Sequence, residues 1–383
     1  MTTFNNLTLD NIPFVKLEID NSLASLSQDQ PYRVLLLGES SNPITTSKPV
    51  RIGSTAEAGT NYGINSPLFS MIKTFFDINK STPLYVFPFT GAALETPGFK
   101  VQIETLKTSQ QFNLVVSQWS DPAKIAELGK LYDTLGQADF GIDGTVFAAV
   151  TETYEELLKY NVSNTVNFKF VSIMASPTIS TGTATTFPAY LIAVNTAAIV
   201  AIEAEKDPAR PFNGLELSAV PSFNDEEGFT RDQLKSLVKI GFSVYSLSST
   251  GEPRIERLVT TWIKDENGLP DRSYSDLNTI LISSYLRFSF VNYFSKKYVS
   301  QRYKIADDST LIPPGKPILQ PKMAKAEAIN LFQDWQERGL VEDASSFINS
   351  LIVEKKDGTI IFAFKANYID QLIGVAGKLF FTR

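Results

Sequence analysis

The stretch "YRVLLLGES", residues 32–40, is a nearly unbroken apolar run that ends in a glycine and polar residues. Its four consecutive aliphatic side chains, Val34–Leu37, leave no polar face, which is typical of a strand buried on both sides of a sheet. Similar runs recur, and we predict strands at "PLYVFPF" (83–89), "GTVFAAVT" (144–151) and "NFKFVSIMAS" (167–176). Helical patterns separate these runs, so residues 31–185 are predicted to form an α/β domain whose sheet is covered by helices.

The helices between the strands carry start and stop signals. "SPLFSMIKTFFDIN" has Ser66 as a candidate cap and a proline at its first helical position. "DPAKIAELGKLYDTLG" begins after Asp121 and ends at a glycine, and "TRDQLKSLVKIGF" begins after Thr230. Two further segments, "GFKVQIETL" (98–106) and "FNLVVSQWS" (112–120), are predicted strands.

The second half of the chain mixes strands and helices. Strands are predicted in "SVYSLS" (243–248) and "PRIERLVTTWIKD" (253–265), and "FINSLIVEKKDGTIIFAFKANYI" (347–369) is a predicted hairpin that turns at "KKDGT". Amphipathic "KMAKAEAINLFQDWQERGLV" (322–341) is a predicted helix. The predicted fold class is therefore α/β and α+β, in two domains with strand-like arms. The predicted divisions are an N-terminal arm and linker (1–30), an outer α/β domain (31–185), a core α+β domain (186–370) and a C-terminal arm (371–383).

Both ends of the sequence carry short strand-like patterns. Near the start, "IPFVKLEIDNS" (12–22) alternates apolar and charged residues, and the sequence finishes on "GVAGKLFFTR" (374–383). Neither run has an obvious partner nearby in the sequence. The pattern alone leaves open whether these arms pair within their own chain or elsewhere.

Composition excludes several classes of function. The 383-residue chain has no cysteine and no histidine, which removes disulfides, thiolate nucleophiles, Ser-His-Asp triads and the common zinc sites. The net charge of -6 argues against nucleic-acid binding. The longest apolar stretch, "YLIAVNTAAIVAIEAE", is interrupted by Asn195, and the N-terminus lacks the pattern of a signal peptide. We expect a protein made in a cytoplasm, without membrane insertion.

No motif in the sequence indicates catalysis. There is no P-loop, and we predict no catalytic residue, no cofactor and no metal site. Acid clusters fit no EF-hand and are interpreted as solvated loops; they lie at Asp225–Glu227, Asp307–Asp308 and Glu342–Asp343. One alternative is a carboxylate-based hydrolase that works through Asp271, Asp276 or Glu256. The string "DPARP" (207–211) is equally consistent with a helix stop and with a contact loop.

From residue 189 onward, the order of motifs resembles that of contractile tail sheath proteins, in particular the Mu-like and pyocin-like types. The motifs are "DPARPFNGLELSAV", "FTRDQLKSLVKIGFSVY", "IERLVTTWIKDENGLPDRSYSDLNTI" and "SYLRFSFVNYF". Upstream, "YRVLLLG" and "STAEAGTNYGINSPLFSMI" are similar to the strand, loop and helix start of this family. The resemblance covers most of the chain and is most specific over residues 205–350.

The resemblance implies a mechanical function. Such subunits form hexameric rings that stack around a tail tube, and contraction of the sheath drives the tube through the envelope of the target cell. The implied partners are further copies of the chain, the tube protein, and baseplate and terminator proteins. The implied location is the tail of a virion or of a phage-tail-like particle assembled in a bacterial cytoplasm. A tube or baseplate component is a further alternative.

The resemblance also assigns roles to residues. Both ends would be inter-subunit arms that add strands to a neighbour, through Phe14, Val15, Leu17, Ile19, Lys378, Leu379, Phe380 and Phe381. The accepting hairpin would include Ile352, Val353, Ile360 and Phe362, and Gly374 and Gly377 would be hinges. The amphipathic helix would face the tube with Lys322, Lys325, Glu327, Asp334 and Arg338.

Overall fold

The computed structural model describes residues 30–44, 46, 48–160, 166–179, 186–224 and 227–380. These residues divide into two compact units, a larger one formed by residues 31–285 and 368–380 and a smaller one formed by residues 30 and 286–367. In this part of the chain the helices are α1 Thr55–Tyr62, α2 Pro67–Ile78, α3 Thr96–Glu104, α4 Pro122–Leu135, α5 Tyr154–Tyr160, α6 Ala189–Lys206, α7 Arg231–Lys239, α8 Leu277–Phe294, α9 Pro321–Glu337 and α10 Ala344–Ser350.

The strands, in chain order, are β1 Val34–Glu39, β2 Val50–Ile52, β3 Leu84–Phe89, β4 Leu114–Ser117, β5 Thr145–Thr151, β6 Val171–Ser176, β7 Phe242–Leu247, β8 Pro253–Arg257, β9 Lys304–Ile305, β10 Ile318–Leu319, β11 Val341–Glu342, β12 Ile352–Lys356, β13 Thr359–Ala363 and β14 Asn367–Tyr368. None of the helices among the described residues is long and apolar enough to cross a membrane.

The larger unit is built on one sheet of eight strands, in the order β2-β3-β1-β4-β5-β6-β7-β8. Within this order, all neighbouring strands between β3 and β7, including β1, are parallel. The outer strands β2 and β8 pair antiparallel with β3 and β7. Side chains alternate between the faces, so Leu36 packs in a cluster with Met71 of α2, and Leu35 packs in another cluster with Leu128 of α4. Helices therefore cover both faces, and the predicted α/β class is confirmed.

The helix caps follow the sequence signals. The Ser66 hydroxyl accepts a hydrogen bond from Phe69 N at 3.0 Å, and the Asp121 carboxylate accepts one from Lys124 N at 3.2 Å. Thr230 forms a reciprocal capping box with Gln233 at the start of α7. Each cap satisfies an amide that would otherwise lack a partner at the helix start.

Three predicted strands differ from the structure. The segment 98–106 lies mostly in α3, because burial of Phe99 and Ile103, four residues apart, matches a helical repeat, while Val101 between them is 72% exposed. β8 ends at Arg257, so the rest of 253–265 is not strand. The start of the predicted hairpin, up to Ser350, is the helix α10.

The predicted domain boundary between residues 185 and 186 falls inside the larger unit. β6 and β7 are parallel neighbours in the sheet, with Ile173 opposite Phe242. A parallel pair needs a crossover on one face of the sheet, and α6 lies in this connection. Because α6 packs in the same cluster as β1 and β4, residues 189–206 are part of the α/β core.

The smaller unit has an aromatic core. Phe332 of α9 stacks on Phe347 of α10 with ring centroids 4.0 Å apart, and Phe364 meets Phe347 edge-on at 5.3 Å. The indole nitrogen of Trp335 donates a hydrogen bond to Ser289 Oγ at 2.8 Å. Ring pairs of this kind fix the relative positions of α9, α10 and the segment that follows β13.

Candidate functional site

The β12–β13 hairpin has a two-residue turn. Asp357 and Gly358 both have positive φ, 47° and 78°, as a type I′ turn requires. The register places Lys356 opposite Thr359 and Val353 opposite Phe362. The predicted turn at "KKDGT" is therefore present, with the Asp-Gly pair at its tip.

The two faces of the hairpin have different surroundings. Val353, Ile360 and Phe362 lie on the inner face and pack against a cluster that contains Tyr298, Leu319 and Ala324. On the outer face, Ile352 is 57% exposed and Ile361 is 45% exposed. The four residues predicted for this hairpin thus divide between its faces, with Ile352 alone on the outer one.

Both long edges of the hairpin lack a strand partner among the described residues. β12 and β13 pair only with each other in this part of the chain. In a two-residue hairpin the pair that flanks the turn exchanges hydrogen bonds, and backbone groups then alternate between inward and outward directions. The outward groups belong to Val353 and Lys355 on one edge and to Ile360 and Phe362 on the other. Each edge can therefore accept an added strand.

The C-terminal segment is exposed. Residues 372–380 have no regular secondary structure, and the apolar side chains of Val375, Leu379 and Phe380 are 90%, 88% and 77% exposed. A Cβ atom added at Gly374 or at Gly377 would meet no heavy atom within 4 Å. Within the described residues this segment pairs with no strand of its own chain. Of the predicted arm residues, Phe14, Val15, Leu17, Ile19 and Phe381 lie outside the described residues.

The charged residues that were predicted for the exposed face of helix α9 differ in their solvent exposure. Lys322 and Lys325 are exposed, and Asp334 forms an ion pair with Arg338 at 3.5 Å. Glu327, predicted to lie on the same exposed face, does not: its side chain is only 18% exposed. It points into the smaller unit because Tyr298, which is buried, and two half-buried side chains hold its carboxylate.

The partners of Glu327 form a polar cluster that no sequence motif indicates. The carboxylate accepts hydrogen bonds from Lys297 Nζ at 2.7 Å, from the Tyr298 hydroxyl at 2.8 Å and from the Tyr293 hydroxyl. Burial opposes ionisation, but these hydrogen bonds outweigh it and lower the pKa of Glu327 below its ordinary value of 4.5. Lys297 and Tyr298 both lie in the π-helical turn Ser295–Val299, which follows α8, and both donate to Glu327 of α9.

The three carboxylates of the hydrolase alternative have structural partners. Asp271 accepts hydrogen bonds from the Trp262 indole at 2.8 Å and from Ser273 N at 2.8 Å. The backbone bond from Ser273 is the largest of several that lower the pKa of Asp271. Asp276 is paired with Arg257, and Glu256 accepts from Ser246 Oγ at 2.5 Å. Each of the three carboxylates thus has a partner from its own surroundings, as a structural role requires.

Two further places have the geometry of a ligand site. A cavity of about 430 Å³ is lined by cations, among them Lys239 and Arg272, and by no carboxylate. The strand order reverses beside β1, where doubly wound sheets commonly bind a ligand. There the side-chain carbonyl of Gln118 accepts a hydrogen bond from Glu39 N at 2.6 Å. Among the described residues, no group of three acidic side chains could hold a metal ion.

Comparison with known proteins shows similarity in sequence to one curated relative. The chain is 30% identical over 253 residues to the Mu-like prophage FluMu tail sheath protein of Haemophilus influenzae. The match covers 64% of this chain and 48% of that protein, so the chain spans about half the length of the curated relative. No protein-family model matches the chain.

Solved structures share the fold over nearly the whole chain. A PVC sheath complex of an extracellular contractile injection system, in its contracted state, has a TM-score of 0.64 at 12% identity and covers 98% of each chain. The sheath tail protein of Desulfitobacterium hafniense has a TM-score of 0.62 at 11% identity, covering 94% of this chain and 97% of that one. The contracted helical sheath of the anti-feeding prophage has a TM-score of 0.58 at 16% identity, covering 98% and 99%. The resemblance inferred from the sequence is thus confirmed: the chain has the fold of contractile tail sheath proteins and shares sequence with a Mu-like member.

Proposed function

We propose that the chain is a structural subunit of a contractile tail sheath. Copies would polymerise as stacked hexameric rings around a tail tube, and contraction would drive the tube through the envelope of the target cell. The observation that carries this proposal is the β12–β13 hairpin, whose two edges have no strand partner among the described residues. A fold shared with sheath complexes supports the same conclusion.

The hairpin edges and the exposed C-terminal segment suit strand exchange between subunits. An added strand forms backbone hydrogen bonds along an edge and places alternate side chains on the two faces. Leu379 and Phe380 are exposed in the single chain and would be covered by such pairing. Residues 372–383 span at most about 40 Å when fully extended, which sets the greatest distance at which they could reach a neighbour's hairpin. Flexible connections of this kind would let subunits rearrange without separating.

Helix α9 supplies the proposed tube-facing surface. Lys322 and Lys325 are the exposed cations near its start, and the Asp334–Arg338 pair is partly exposed further along. Contacts between exposed charges are weak and are screened by salt, which suits a tube that must be released on contraction. Glu327 is not part of this surface, because its carboxylate is bound by Lys297.

The proposal assigns no chemical reaction to the chain. Its partners would be further copies, the tube protein, and baseplate and terminator proteins. Its location would be the tail of a virion or of a phage-tail-like particle, after assembly in a bacterial cytoplasm. Asp271 accepts a hydrogen bond from the Trp262 indole, and Asp276 is paired with Arg257. These partners support a structural role for both carboxylates.

Electron microscopy of the purified protein tests the proposal. We expect hollow cylinders from the full chain, and folded subunits that do not polymerise when residues 374–383 are deleted. Circular dichroism of both forms checks that the fold is retained. A full chain that stays monomeric at high concentration would contradict the sheath assignment, and cylinders of normal yield from the deletion would contradict the role of the arm.

A control addresses the hydrolase alternative. Asp271→Asn keeps one oxygen that can accept from the Trp262 indole but turns an NH2 group toward the Ser273 amide, so we expect some loss of stability and unchanged cylinder formation by the folded protein. Hydrolase activity of the full chain that disappears in this variant would favour the enzyme instead.

A further inference from the structure

The "DPARP" string, residues 207–211, forms a tight loop after α6. Asp207 N donates to Glu203 O at 2.9 Å, and the Asp207 carboxylate accepts from Ala209 N at 2.9 Å. Arg210 N then donates back to Asp207 O at 3.3 Å. This geometry ends the helix, as one of the two sequence interpretations predicts, and it leaves the next three carbonyl groups without helical partners.

Those three carbonyl groups accept hydrogen bonds from side-chain amides. Asn278, at the start of α8, donates to Pro208 O and to Arg210 O, both at 2.8 Å. Gln371 donates from Nε2 to Ala209 O at 2.6 Å. Asn278 is only 5% exposed, so its two bonds are well shielded from water. The loop is thus fixed from one side by α8 and contacts the C-terminal segment on the other.

A second hydrogen bond holds the same part of the C-terminal segment. The hydroxyl groups of Tyr368 and Ser283 lie 3.0 Å apart, and Ser283 donates its own proton to Thr279 O at 2.7 Å. A serine hydroxyl has one proton, so Tyr368 must be the donor to Ser283. The segment 368–371, which we call the arm root, is therefore attached to α8 at its first residue and to the 207–211 loop at its last.

Exposure changes abruptly at the end of the arm root. Gln371 is half-buried, and it lines a small cavity of about 20 Å³ with Arg257, Asp276 and Asn278. Every described residue from Leu372 onward is exposed. Gly374 and Gly377, predicted as hinges, lie beyond this change, in open space. The exposed part of the C-terminal segment therefore begins at Leu372, ahead of the first of these glycines.

The negative charge of Asp370 opposes the attachment of the arm root to the rest of the larger unit. Asp276 is paired with Arg257, and burial raises the pKa of Asp276 while Arg257 acts in the opposite direction. The nearby Asp370 carboxylate raises it further, which shows that the two acids repel each other. Asp370 is exposed, so solvent screens much of this repulsion. The hydrogen bonds of Tyr368 and Gln371 have to outweigh it.

We propose that the 207–211 loop is a latch for the C-terminal arm: Gln371 binds Ala209 O, and the arm leaves the subunit at a fixed point, Leu372. This inference rests on the proposed function, in which the arm is donated to a neighbour. A fixed starting point and a shorter tether raise the effective concentration of the arm near its acceptor. The latch thereby prepares the arm for strand exchange before any neighbour is bound.

Spin labelling of the monomeric chain tests the latch directly. Because the sequence contains no cysteine, a single Asp370→Cys substitution places one nitroxide label inside the arm root, and Leu379→Cys places a reference label in the free arm. We expect the label at position 370 to be immobilised and to become mobile when Gln371→Ala is added. The label at position 379 should be mobile in both backgrounds. Equal mobility of the label at position 370 with and without Gln371→Ala would overturn the latch.

The assembly step is tested separately. Gln371→Ala should raise the critical concentration for cylinder formation about two- to fivefold, while Gln137→Ala, at an exposed glutamine elsewhere in the same unit, should leave it unchanged. An unchanged critical concentration for Gln371→Ala would overturn the preparatory role of the latch. If even the unaltered chain forms no cylinders, the sheath assignment fails, and the spin-label result still decides whether the latch exists. Circular dichroism confirms that each variant is folded.

Discussion

The strand β5 in the eight-stranded sheet and the hairpin strand β13 carry equally apolar sequences but lie in opposite environments. β5 has a strand on each side and helices on both faces, and its residues from Thr145 to Val150 are buried. β13 has one neighbour, and its residues alternate between exposed and half-buried. The larger unit thus satisfies its own backbone, whereas the hairpin retains free hydrogen-bonding groups on both edges among the described residues.

Because of this difference, we expect the sheet to determine the stability of the fold and the hairpin to determine assembly. A two-stranded hairpin is marginal by itself, and this one depends on packing of Val353 and Phe362 over Tyr298. Free edges also invite uncontrolled association, and charged side chains such as Glu354 and Lys355 on β12 limit it. We therefore expect substitutions in the sheet to change the free energy of unfolding, and substitutions in the hairpin or the arm to change polymerisation.

The largest contrast is expected when phenylalanine is replaced by alanine once in the sheet and once in the C-terminal segment. Phe87→Ala removes a fully buried ring from β3 and should lower the free energy of unfolding by about 3–5 kcal/mol. Phe380→Ala removes a ring that is 77% exposed and should leave that free energy nearly unchanged, but it should reduce cylinder yield. Urea denaturation and electron microscopy of both variants measure the two effects. If Phe380→Ala destabilised the monomer as strongly, the distinction between the regions would be wrong.

The polar cluster of the smaller unit should give an intermediate effect that depends on pH. Glu327→Gln removes the charge that binds Lys297, and it should cost about 1–2 kcal/mol at pH 7, reduced by partial solvent access. The pKa of Glu327 is lowered in the folded state, so its contribution is present above the unfolded value of 4.5 and is lost as the pH falls through the folded value.

Urea denaturation of the unaltered chain and of Glu327→Gln at several pH values measures this difference. The gap between the two proteins should be constant near neutral pH and should close below about pH 4.5. A gap that stays the same down to about pH 3 would contradict an ionised, hydrogen-bonded Glu327.

A smaller effect is expected at the hairpin turn. Gly358 has a φ of 78° with open space around it, so Gly358→Ala adds backbone strain of about 1–2 kcal/mol and no clash. Gly268→Ala is the matched control, because Gly268 has a φ of 79° and open space around it but lies outside the hairpin and the arm. Cylinder yield should fall for the first variant only. Similar yields from both variants would mean that the geometry of the turn does not affect the ability of the hairpin to accept a strand.

The smallest effect on the monomer is expected on the outer face of the hairpin. Ile361→Thr keeps a β-branched side chain and should change the free energy of unfolding by a few tenths of a kcal/mol. Ile64→Thr, at an isoleucine that is 68% exposed outside the hairpin, serves as the control. We expect a higher critical concentration for Ile361→Thr alone, measured by sedimentation. An effect of equal size at Ile64 would show that exposed isoleucines act in general and not through the hairpin.

Local patterns in the sequence identify most elements of the larger unit. The aliphatic run Val34–Leu37 predicts a buried strand, and Ser66, Asp121 and Thr230 predict helix starts, because these signals act through neighbouring residues. The strand prediction for residues 98–106 is wrong because its apolar residues fit a period of two as well as part of a helical face. Only packing against α4 distinguishes the two patterns.

The sequence by itself determined the absence of cysteine and histidine chemistry, the alternation of buried strands with capped helices, the Asp-Gly turn of the hairpin and the order of sheath-like motifs. Each of these depends on residue type or on neighbours within a few positions. Only the tertiary structure decided that Glu327 faces Lys297, that α6 belongs to the sheet, that the hairpin edges lack strand partners among the described residues, and that Gln371 binds the 207–211 loop. The reason is physical: a local pattern shows that a group needs a partner, but partners that are 30 to 162 positions apart meet only when the chain has folded.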